Sequence, residues 1–94
     1  MWEIQISKRC LRDVREMPKH VIEAFRQIFL SRESVNNPFD ESELGVKLEK
    51  LSGTADAYKV RIGQYRVGIF LDRETRTLKV VRFLHRREIF RYFP

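Results

Sequence analysis

Residues 58–71 read YKVRIGQYRVGIFL and contain two short runs in which apolar and polar residues alternate. Alternation with a period of two is typical of half-buried strands. The runs are separated by Gly63-Gln64, and a two-residue turn with glycine first favours a type II′ hairpin. This turn predicts the register of the hairpin as four facing pairs: Ile62 with Tyr65, Arg61 with Arg66, Val60 with Val67, and Lys59 with Gly68.

A second hairpin follows the first. Its turn spans residues 72–76, and its outgoing strand spans residues 77–84. Arg82 falls on the apolar face of that strand by simple alternation, although a charge does not belong there. Either a β-bulge intervenes, or Arg82 lies at the end of the sheet and reaches a polar partner. The other residues predicted to face the core are Val60, Ile62, Tyr65, Val67, Ile69, Leu71, Leu78 and Val80.

The first half of the chain predicts one strand and a helical hairpin. Residues 2–6 alternate between apolar and polar types and are therefore expected to form a strand. Ser7 can cap a helix that begins at Lys8. Pro18 suits the first turn of a second helix, where its missing N–H costs little. The second helix continues through Leu30, and its apolar stripe contains Val21, Ile22, Phe25, Ile28 and Phe29.

Asn36-Asn37-Pro38 ends the helical region, and an acidic loop over residues 40–43 follows. Residues 46–52 fit either a short helix or an irregular segment. The complete pattern predicts an α+β fold of order β-α-α-β-β-β. In this fold, the helical hairpin packs on one face of an antiparallel sheet. At 94 residues, the chain is expected to form a single domain over residues 1–94.

The amino-acid composition limits the classes of protein to which the chain can belong. Cys10 is the only cysteine, so an internal disulfide and a cysteine metal cluster are excluded. No apolar run approaches the ~20 residues that span a bilayer, and the first residues do not resemble a secretion signal. We therefore expect a cytoplasmic protein with no membrane partner. No phosphate-binding glycine loop or metal-ligand spacing is present, so neither a cofactor nor a metal is expected.

The positive charge of the chain is concentrated in the predicted sheet. Residues 58–94 contain ten Lys or Arg against three acidic residues, a balance of +7, whereas residues 1–57 balance to −1. A cationic sheet beside a nearly neutral helical half is typical of a surface that meets polyanions. Nucleic acid is the first candidate.

Lys59, Arg61 and Arg66 are the most informative basic residues. The hairpin register places all three on the face opposite the core, with the two arginines directly across from each other. Facing like charges destabilise a sheet, and a bound anion would relieve the repulsion. Two guanidiniums can grip phosphate oxygens and stabilise charge in a phosphoryl transition state. The alternative interpretation is an ordinary solvated strand face.

The C-terminal segment adds further candidates. His85, Arg86 and Arg87 follow the last strand directly and can fold back over the sheet. Lys59, beside two fixed cations, is a candidate proton acceptor, and His85 can exchange protons near neutral pH. In the terminal turn over residues 88–93, Ile89 and Phe93 are expected to pack against the sheet.

The run Tyr58-Lys59-Val60-Arg61-Ile62-Gly63-Gln64-Tyr65-Arg66-Val67 and the tail His85-Arg86-Arg87-Glu88 resemble the RelE/ParE superfamily. These proteins are the toxins of type II toxin–antitoxin systems. Chain length and element order match as well, so the resemblance covers the whole chain. It implies a RelE-like fold and, in the nuclease branch, metal-independent cleavage of messenger RNA on the ribosome. The products of that reaction carry a 2′,3′-cyclic phosphate and a free 5′-hydroxyl.

The resemblance also implies functional residues. Lys59, Arg61, Arg66 and Arg86 match the basic catalytic positions of the nuclease branch. A tyrosine of that branch aligns with Phe90, so the phenolic hydroxyl is absent here. Phe90 can still stack on a base, and Tyr92 is a possible substitute. The secondary catalytic or base-stacking candidates are therefore His85, Arg87, Phe90 and Tyr92.

Three functions remain open at this point. The first is a ribosome-dependent endoribonuclease that causes growth arrest, with the ribosome and mRNA as partners. The second is a ParE-like inhibitor of DNA gyrase, and the third is an inactive module that only binds an antitoxin. In all three, the resemblance implies a cognate antitoxin protein whose acidic residues dock on the cationic face.

Overall fold

The computed structural model describes residues 1–53 and 56–94. In chain order, the strands and helices are β1 Trp2–Ile6, α1 Lys8–Arg15, α2 Lys19–Phe25, β2 Ser34–Val35, α3 Glu41–Leu44, β3 Glu49–Lys50, β4 Ala57–Ile62, β5 Tyr65–Asp72, β6 Thr77–His85 and α4 Ile89–Tyr92. A π-helical turn, Arg26–Leu30, extends α2. No helix in the described part of the chain is long and apolar enough to cross a membrane.

The strands form one sheet in the order β2-β1-β6-β5-β4-β3. This α+β architecture confirms the predicted fold class. Four of the neighbouring strand pairs are antiparallel, and β1 runs parallel to β6. The sheet is therefore mixed where a purely antiparallel one was expected. Alternation in a sequence shows which residues share a face, but it carries no information on the direction of a distant neighbour.

The hairpin of β4 and β5 has the predicted register. Lys59 faces Gly68, Val60 faces Val67, and Arg61 faces Arg66. Gly63 adopts a φ of +58°, and within the two-residue turn the positive φ is confined to this first position. A type II′ turn requires that combination, so the turn chemistry explains the register.

The main core lies between the sheet and the helical hairpin of α1 and α2. Ser7 caps α1 as predicted, since its hydroxyl accepts from the backbone N–H of Cys10 at 3.0 Å. Phe25 of α2 is fully buried and stacks on Phe83 of β6 with 4.9 Å between ring centroids. The residues predicted to face the core are buried or, for Tyr65, packed against the buried cluster.

A smaller apolar cluster covers part of the opposite face. Here α4 packs on the sheet, and Ile89 and Phe93 are buried as predicted. Gly68 permits this packing, because a Cβ at that position would lie 2.6–2.8 Å from ring carbons of Phe93. Ala57 completes the buried part of the cluster. The C-terminal turn therefore presses directly on the centre of β5.

A β-bulge in β6 explains the position of Arg82. Gly68 faces Arg82 and Ile69 faces Val80, so Val81 is the extra residue. Arg82 also has a polar partner: its Nε and Nη2 donate to the carboxylate of Asp13 in α1 at 2.8 and 3.3 Å. The predicted bulge is therefore present, and Arg82 reaches a polar partner, although it lies within the sheet and not at its end.

The connection between the helices and β4 differs from the prediction. The acidic segment does not remain a loop, because Glu41–Leu44 form one helical turn, α3, capped by Asp40. Within residues 46–52, Glu49 and Lys50 form the edge strand β3, which is neither the short helix nor the irregular segment considered from the sequence. Elements this short are stabilised by their tertiary pairing more than by local sequence signals.

Candidate functional site

Four basic residues gather on the face that also carries α4. Lys59 and Arg61 point from β4 and Arg66 from β5, because they occupy the rows that alternate with the core-facing rows. Arg86 follows β6, and its backbone N–H donates to the carbonyl of Gln64 in the hairpin turn at 2.8 Å. Lys59, Arg61, Arg66 and Arg86 are called the basic cluster below.

Arg66 is the best-fixed member of the basic cluster. Its Nη1 donates to the carbonyl oxygens of Gly63 and Tyr65, both at 2.9 Å. Partial burial lowers the pKa of Arg66 from its usual value, and the positive charges of Arg61 and Arg86 lower it further. This effect shows that three guanidiniums share one small region. The guanidinium nevertheless remains charged at neutral pH, and its Nε and Nη2 have no other partner among the described residues.

One acidic residue stands within the basic cluster. Glu49 of β3 faces Lys59 in the strand register, and its Oε2 lies 3.4 Å from Nε of Arg61. The negative charge of Glu49 also acts on Arg66, because it raises the pKa of that residue against the lowering caused by burial and the neighbouring cations. Oε2 of Glu49 is buried but accepts no hydrogen bond within the described residues. Glu49 could not be predicted as a site residue from local sequence patterns, because its place depends on the pairing of β3 with β4.

An aromatic row lies over the adjoining part of the sheet. Lys59, Gly68 and Arg82 form one row across β4, β5 and β6. Above this row, the ring centroid of Phe90 lies 5.6 Å from Nζ of Lys59. The ring centroid of Tyr92 lies 5.1 Å from the guanidinium carbon of Arg82. Phe93 covers Gly68 between them. The C-terminal turn thus places an exposed aromatic ring beside the lysine.

Two of the secondary candidates lie apart from the basic cluster. His85 faces Tyr65, and their rings meet edge to face with centroids 5.5 Å apart on the side of the main core. Tyr92 contacts Arg82 instead of Lys59. The bulge at Val81 explains the position of His85, because an extra residue moves every following side chain to the opposite face.

Arg87 is exposed, and its backbone N–H donates to Nδ1 of His85 at 3.2 Å. This contact orients the imidazole. Among the secondary candidates, Phe90 contacts a residue of the basic cluster, Lys59.

The arrangement is suited to binding a phosphate group. The cluster offers several charged N–H donors, which form strong hydrogen bonds with phosphate oxygens. Lys59 lies next to a flat aromatic surface on which a base can stack. In residues 1–53 and 56–94, no three His, Cys, Asp or Glu side chains are grouped as metal ligands.

Comparison with known proteins identifies the family. A family model described as the ParE toxin of the type II toxin–antitoxin system parDE matches residues 4–90. The chain belongs to this family. The RelE/ParE resemblance of residues 58–67 is thereby confirmed.

Individual relatives have RelE names. Toxin RelE3 of Methanocaldococcus jannaschii is 28% identical over 92 residues, which cover 98% of this chain and 99% of the relative. The toxin–antitoxin complex RelB–RelE from Methanococcus jannaschii is similar in structure, with a TM-score of 0.70 and 26% identity over 95% of this chain and 98% of that one. The isolated E. coli RelE toxin has the same fold, with a TM-score of 0.67 and 20% identity over 90% of this chain and 84% of that one.

Proposed function

We propose that this type II toxin is a ribosome-dependent endoribonuclease that cleaves messenger RNA without a metal. The observation that carries the proposal is the fixed Arg66 guanidinium, whose Nε and Nη2 have no partner among the described residues. It faces Arg61 in the strand register and lies close enough to Arg86 to feel its charge. Preorganised donors of this kind stabilise the charge that develops on a phosphoryl group in the transition state. The RelE names of relatives such as toxin RelE3 also support a nuclease.

The reaction begins with the 2′-hydroxyl of the RNA. Lys59 is the proposed acceptor of its proton, and the 2′-oxygen forms a bond to the adjacent phosphorus. Arg66 and Arg61 hold the non-bridging oxygens as their negative charge increases. The bond from phosphorus to the 5′-oxygen breaks, and that oxygen takes a proton from water. The products are a 2′,3′-cyclic phosphate and a free 5′-hydroxyl.

Phe90 holds the substrate beside the lysine. Its ring is exposed and lies next to Lys59, so an unpaired base can stack on it while the phosphate meets the cluster. Phenylalanine has no hydroxyl and cannot transfer a proton. The proton transfer therefore falls to Lys59, since His85 packs on the other face of the sheet.

The partner of this toxin is a cognate antitoxin. Similar solved structures are RelB–RelE complexes, including those from Methanococcus jannaschii and Pyrococcus horikoshii. The surplus charge of +7 in residues 58–94 favours an acidic antitoxin segment over the basic cluster. Such a segment would compete with RNA for the same donors.

A second candidate function is inhibition of DNA gyrase. It is favoured by the match to a family model named for ParE and by the absence of a tyrosine at position 90. Gyrase inhibition would leave translation intact and damage DNA, whereas the nuclease would leave messages cut within the ribosome. Translation in a cell-free extract therefore separates the two functions.

Arg66→Ala tests the proposal directly. Arg26→Ala is the matched control, because Arg26 is an exposed arginine on the helical side whose side chain forms a surface ion pair with Glu23. We expect Arg66→Ala to lower cleavage of ribosome-bound message by about 10²-fold or more, and Arg26→Ala to leave it unchanged. Cut sites are mapped by primer extension, and folding is checked by circular dichroism. Full activity of folded Arg66→Ala, or intact translation with wild-type toxin, would contradict the nuclease assignment.

A further inference from the structure

A cleft of about 380 Å³ lies between α1 and α4, beside the basic cluster but separate from it. Three of its lining residues, Arg9, Arg12 and Asp13, come from α1, and a fourth, Glu16, is the C-cap residue of that helix. Their spacing of three, four and seven residues places them on one face of the helix. Arg82 and Tyr92 line the other side.

A buried ion pair forms the rigid part of this cleft. Both oxygens of Asp13 are engaged, by Arg82 and by the backbone N–H of Phe83 at 2.9 Å. The side chains of Asp13 and Arg82 are only 8% and 14% exposed. This pair has little capacity left for a ligand, so recognition depends on the side chains around it.

Tyr92 provides an aromatic surface in the cleft. Its ring rests on the Arg82 guanidinium at 5.1 Å, yet the residue remains 54% exposed. A tyrosine supported in this way is fixed in orientation but still accessible. Bases stack on exposed aromatic rings of this kind in proteins that bind single strands.

The charges of the cleft cancel. Three arginines, at positions 9, 12 and 82, accompany three carboxylates, at positions 13, 16 and 88. An isolated phosphate gains little net electrostatic attraction where positive and negative charges cancel. An uncharged group whose edge carries hydrogen-bond donors and acceptors can instead pair with both the carboxylates and the guanidiniums. Glu88 already contacts Arg91 at 3.7 Å. Glu16 is the cleft carboxylate that has no side-chain partner among the described residues.

An RNA strand bound at the basic cluster can also reach the cleft. Lys59 and Arg82 occupy the same row and are separated by two strand spacings, about 10 Å. Stacked nucleotides rise about 3.4 Å each along a strand, so this distance corresponds to about three stacked nucleotides or fewer splayed ones. One RNA strand can therefore contact both places.

We propose that this cleft binds one unpaired nucleobase of the RNA substrate, stacked on Tyr92 and read by Glu16. A carboxylate accepts a hydrogen bond and donates none at neutral pH. The cleft therefore selects bases with an exocyclic amine, cytosine above all, over uracil. This inference rests on the proposed ribonuclease function and adds a base preference to it.

Binding of single nucleotides to the toxin, followed by NMR, tests the cleft without requiring cleavage. Cytidine 5′-monophosphate is expected to shift the signals of Tyr92 and of the α1 amides, and uridine 5′-monophosphate to bind about fivefold more weakly. Inorganic phosphate, the third probe, is expected to shift the basic cluster alone. Tyr92→Ala is expected to weaken cytidylate binding about tenfold, while Tyr92→Phe keeps it because the ring is retained.

Glu16→Gln is the variant that tests base selection. It is expected to abolish the preference for cytidylate over uridylate, because an amide can donate to the uracil carbonyl as well as accept from an amine. Glu23→Gln removes an exposed carboxylate from α2 and serves as the matched control with unchanged preference. Equal binding of both nucleotides to the wild-type protein would overturn the proposed selection.

The outcomes separate this inference from the proposed function. If inorganic phosphate shifts the basic cluster but cytidylate leaves the cleft unaffected, the inference fails and the nuclease proposal stands. If no probe shifts either place, both fail. If Tyr92→Ala weakens binding of the cognate antitoxin and not of cytidylate, the cleft is a protein contact, and the nucleobase inference is wrong.

Discussion

The two faces of the sheet differ in how they are built. On the helical side, Phe25, Phe29 and Phe83 are at most 1% exposed and pack in a dry aromatic core. On the side of α4, Phe90 and Tyr92 are 58% and 54% exposed, and each lies against a cation. The first face supplies most of the hydrophobic stabilisation. The second face leaves aromatic rings and charges available to a ligand.

One contact joins the two faces. Asp13 belongs to α1, on the helical side, and it holds Arg82, which supports Tyr92 on the other side. The bulge at Val81 makes this possible, because it places Arg82 in the same row as Gly68. The C-terminal turn is therefore expected to depend on α1 for its stability. The connection is indirect and runs from Asp13 through Arg82 to Tyr92.

Asp13→Ala is expected to have the largest effect. It leaves the Arg82 charge poorly solvated and removes the acceptor of the Phe83 N–H, so unfolding becomes easier by about 3 kcal/mol. Urea unfolding followed by circular dichroism measures the change. Glu16→Ala, on the same helical face but exposed, is the control and is expected to change stability by less than about 0.5 kcal/mol. Equal effects of the two substitutions would show that the ion pair does not join the faces.

Gly68→Ala is expected to have the second-largest effect on stability. The new Cβ would overlap the Phe93 ring, so the C-terminal turn must move, at a cost of about 1–3 kcal/mol. We also expect lower nuclease activity, because Phe90 belongs to the same turn. Phe93→Ala provides the test of mechanism by a double-mutant cycle with urea unfolding. If Gly68→Ala costs as much in the Phe93→Ala background, the clash with this ring is not the cause.

The contrast between the faces also explains what could be predicted from the sequence. The register of β4 and β5 was predictable because Gly63-Gln64 fixes it locally. The helical hairpin was predictable from the spacing of its apolar residues. These local signals account for the helical face and for the placement of Lys59, Arg61 and Arg66.

The remainder depends on contacts that are distant in sequence. The bulge at Val81 reverses the alternation, and for this reason His85 points to the core side instead of the basic cluster. Glu49 enters the cluster only because β3 pairs with β4. Asp13 and Arg82 are 69 residues apart in the chain. No local pattern reports such pairings, so the sequence predicted the cations of the site but not their counter-charges.

Cys10 makes the stability of the helical face dependent on alkaline pH. Burial, the main cause, and the charge of Asp13 raise the pKa of the thiol from 9.0 to about 12, against a smaller opposing effect of Arg82. The unfolded chain therefore ionises first, and stability is complete below pH 9 and declines between pH 9 and 12. At pH 10 this effect amounts to about 1.4 kcal/mol.

Cys10→Ala removes the thiol and is expected to flatten the alkaline part of the stability profile. The measurement is the difference in unfolding free energy between pH 8 and pH 10 for each protein, since the pH-independent cost of the smaller side chain then cancels. Lysine and tyrosine titrations are common to both proteins and cancel as well. Identical pH 8 to pH 10 differences would contradict a buried, neutral thiol.

Glu49→Gln is expected to have the smallest effect and to act only on the face of α4. The change removes the negative charge that Glu49 places beside Lys59 and Arg61, while keeping the shape of the side chain. Because both charged partners are partly exposed, the loss of stability should remain below about 1 kcal/mol. Affinity for inorganic phosphate, measured by NMR, should rise about two- to fivefold at low salt and less at high salt.

The matched control for Glu49→Gln is Glu74→Gln, which makes the same change of net charge in the turn between β5 and β6. If both variants bind phosphate equally, net charge alone is responsible and the position of Glu49 is irrelevant. If Glu49→Gln binds phosphate normally but no longer cleaves message, Glu49 takes part in proton transfer and is not a simple counter-charge. A rise in affinity with cleavage retained would instead mean that Glu49 occupies, in the free toxin, the place that the phosphate takes in the complex. That outcome would explain how a strand pair with Arg61 opposite Arg66 is stable without its ligand.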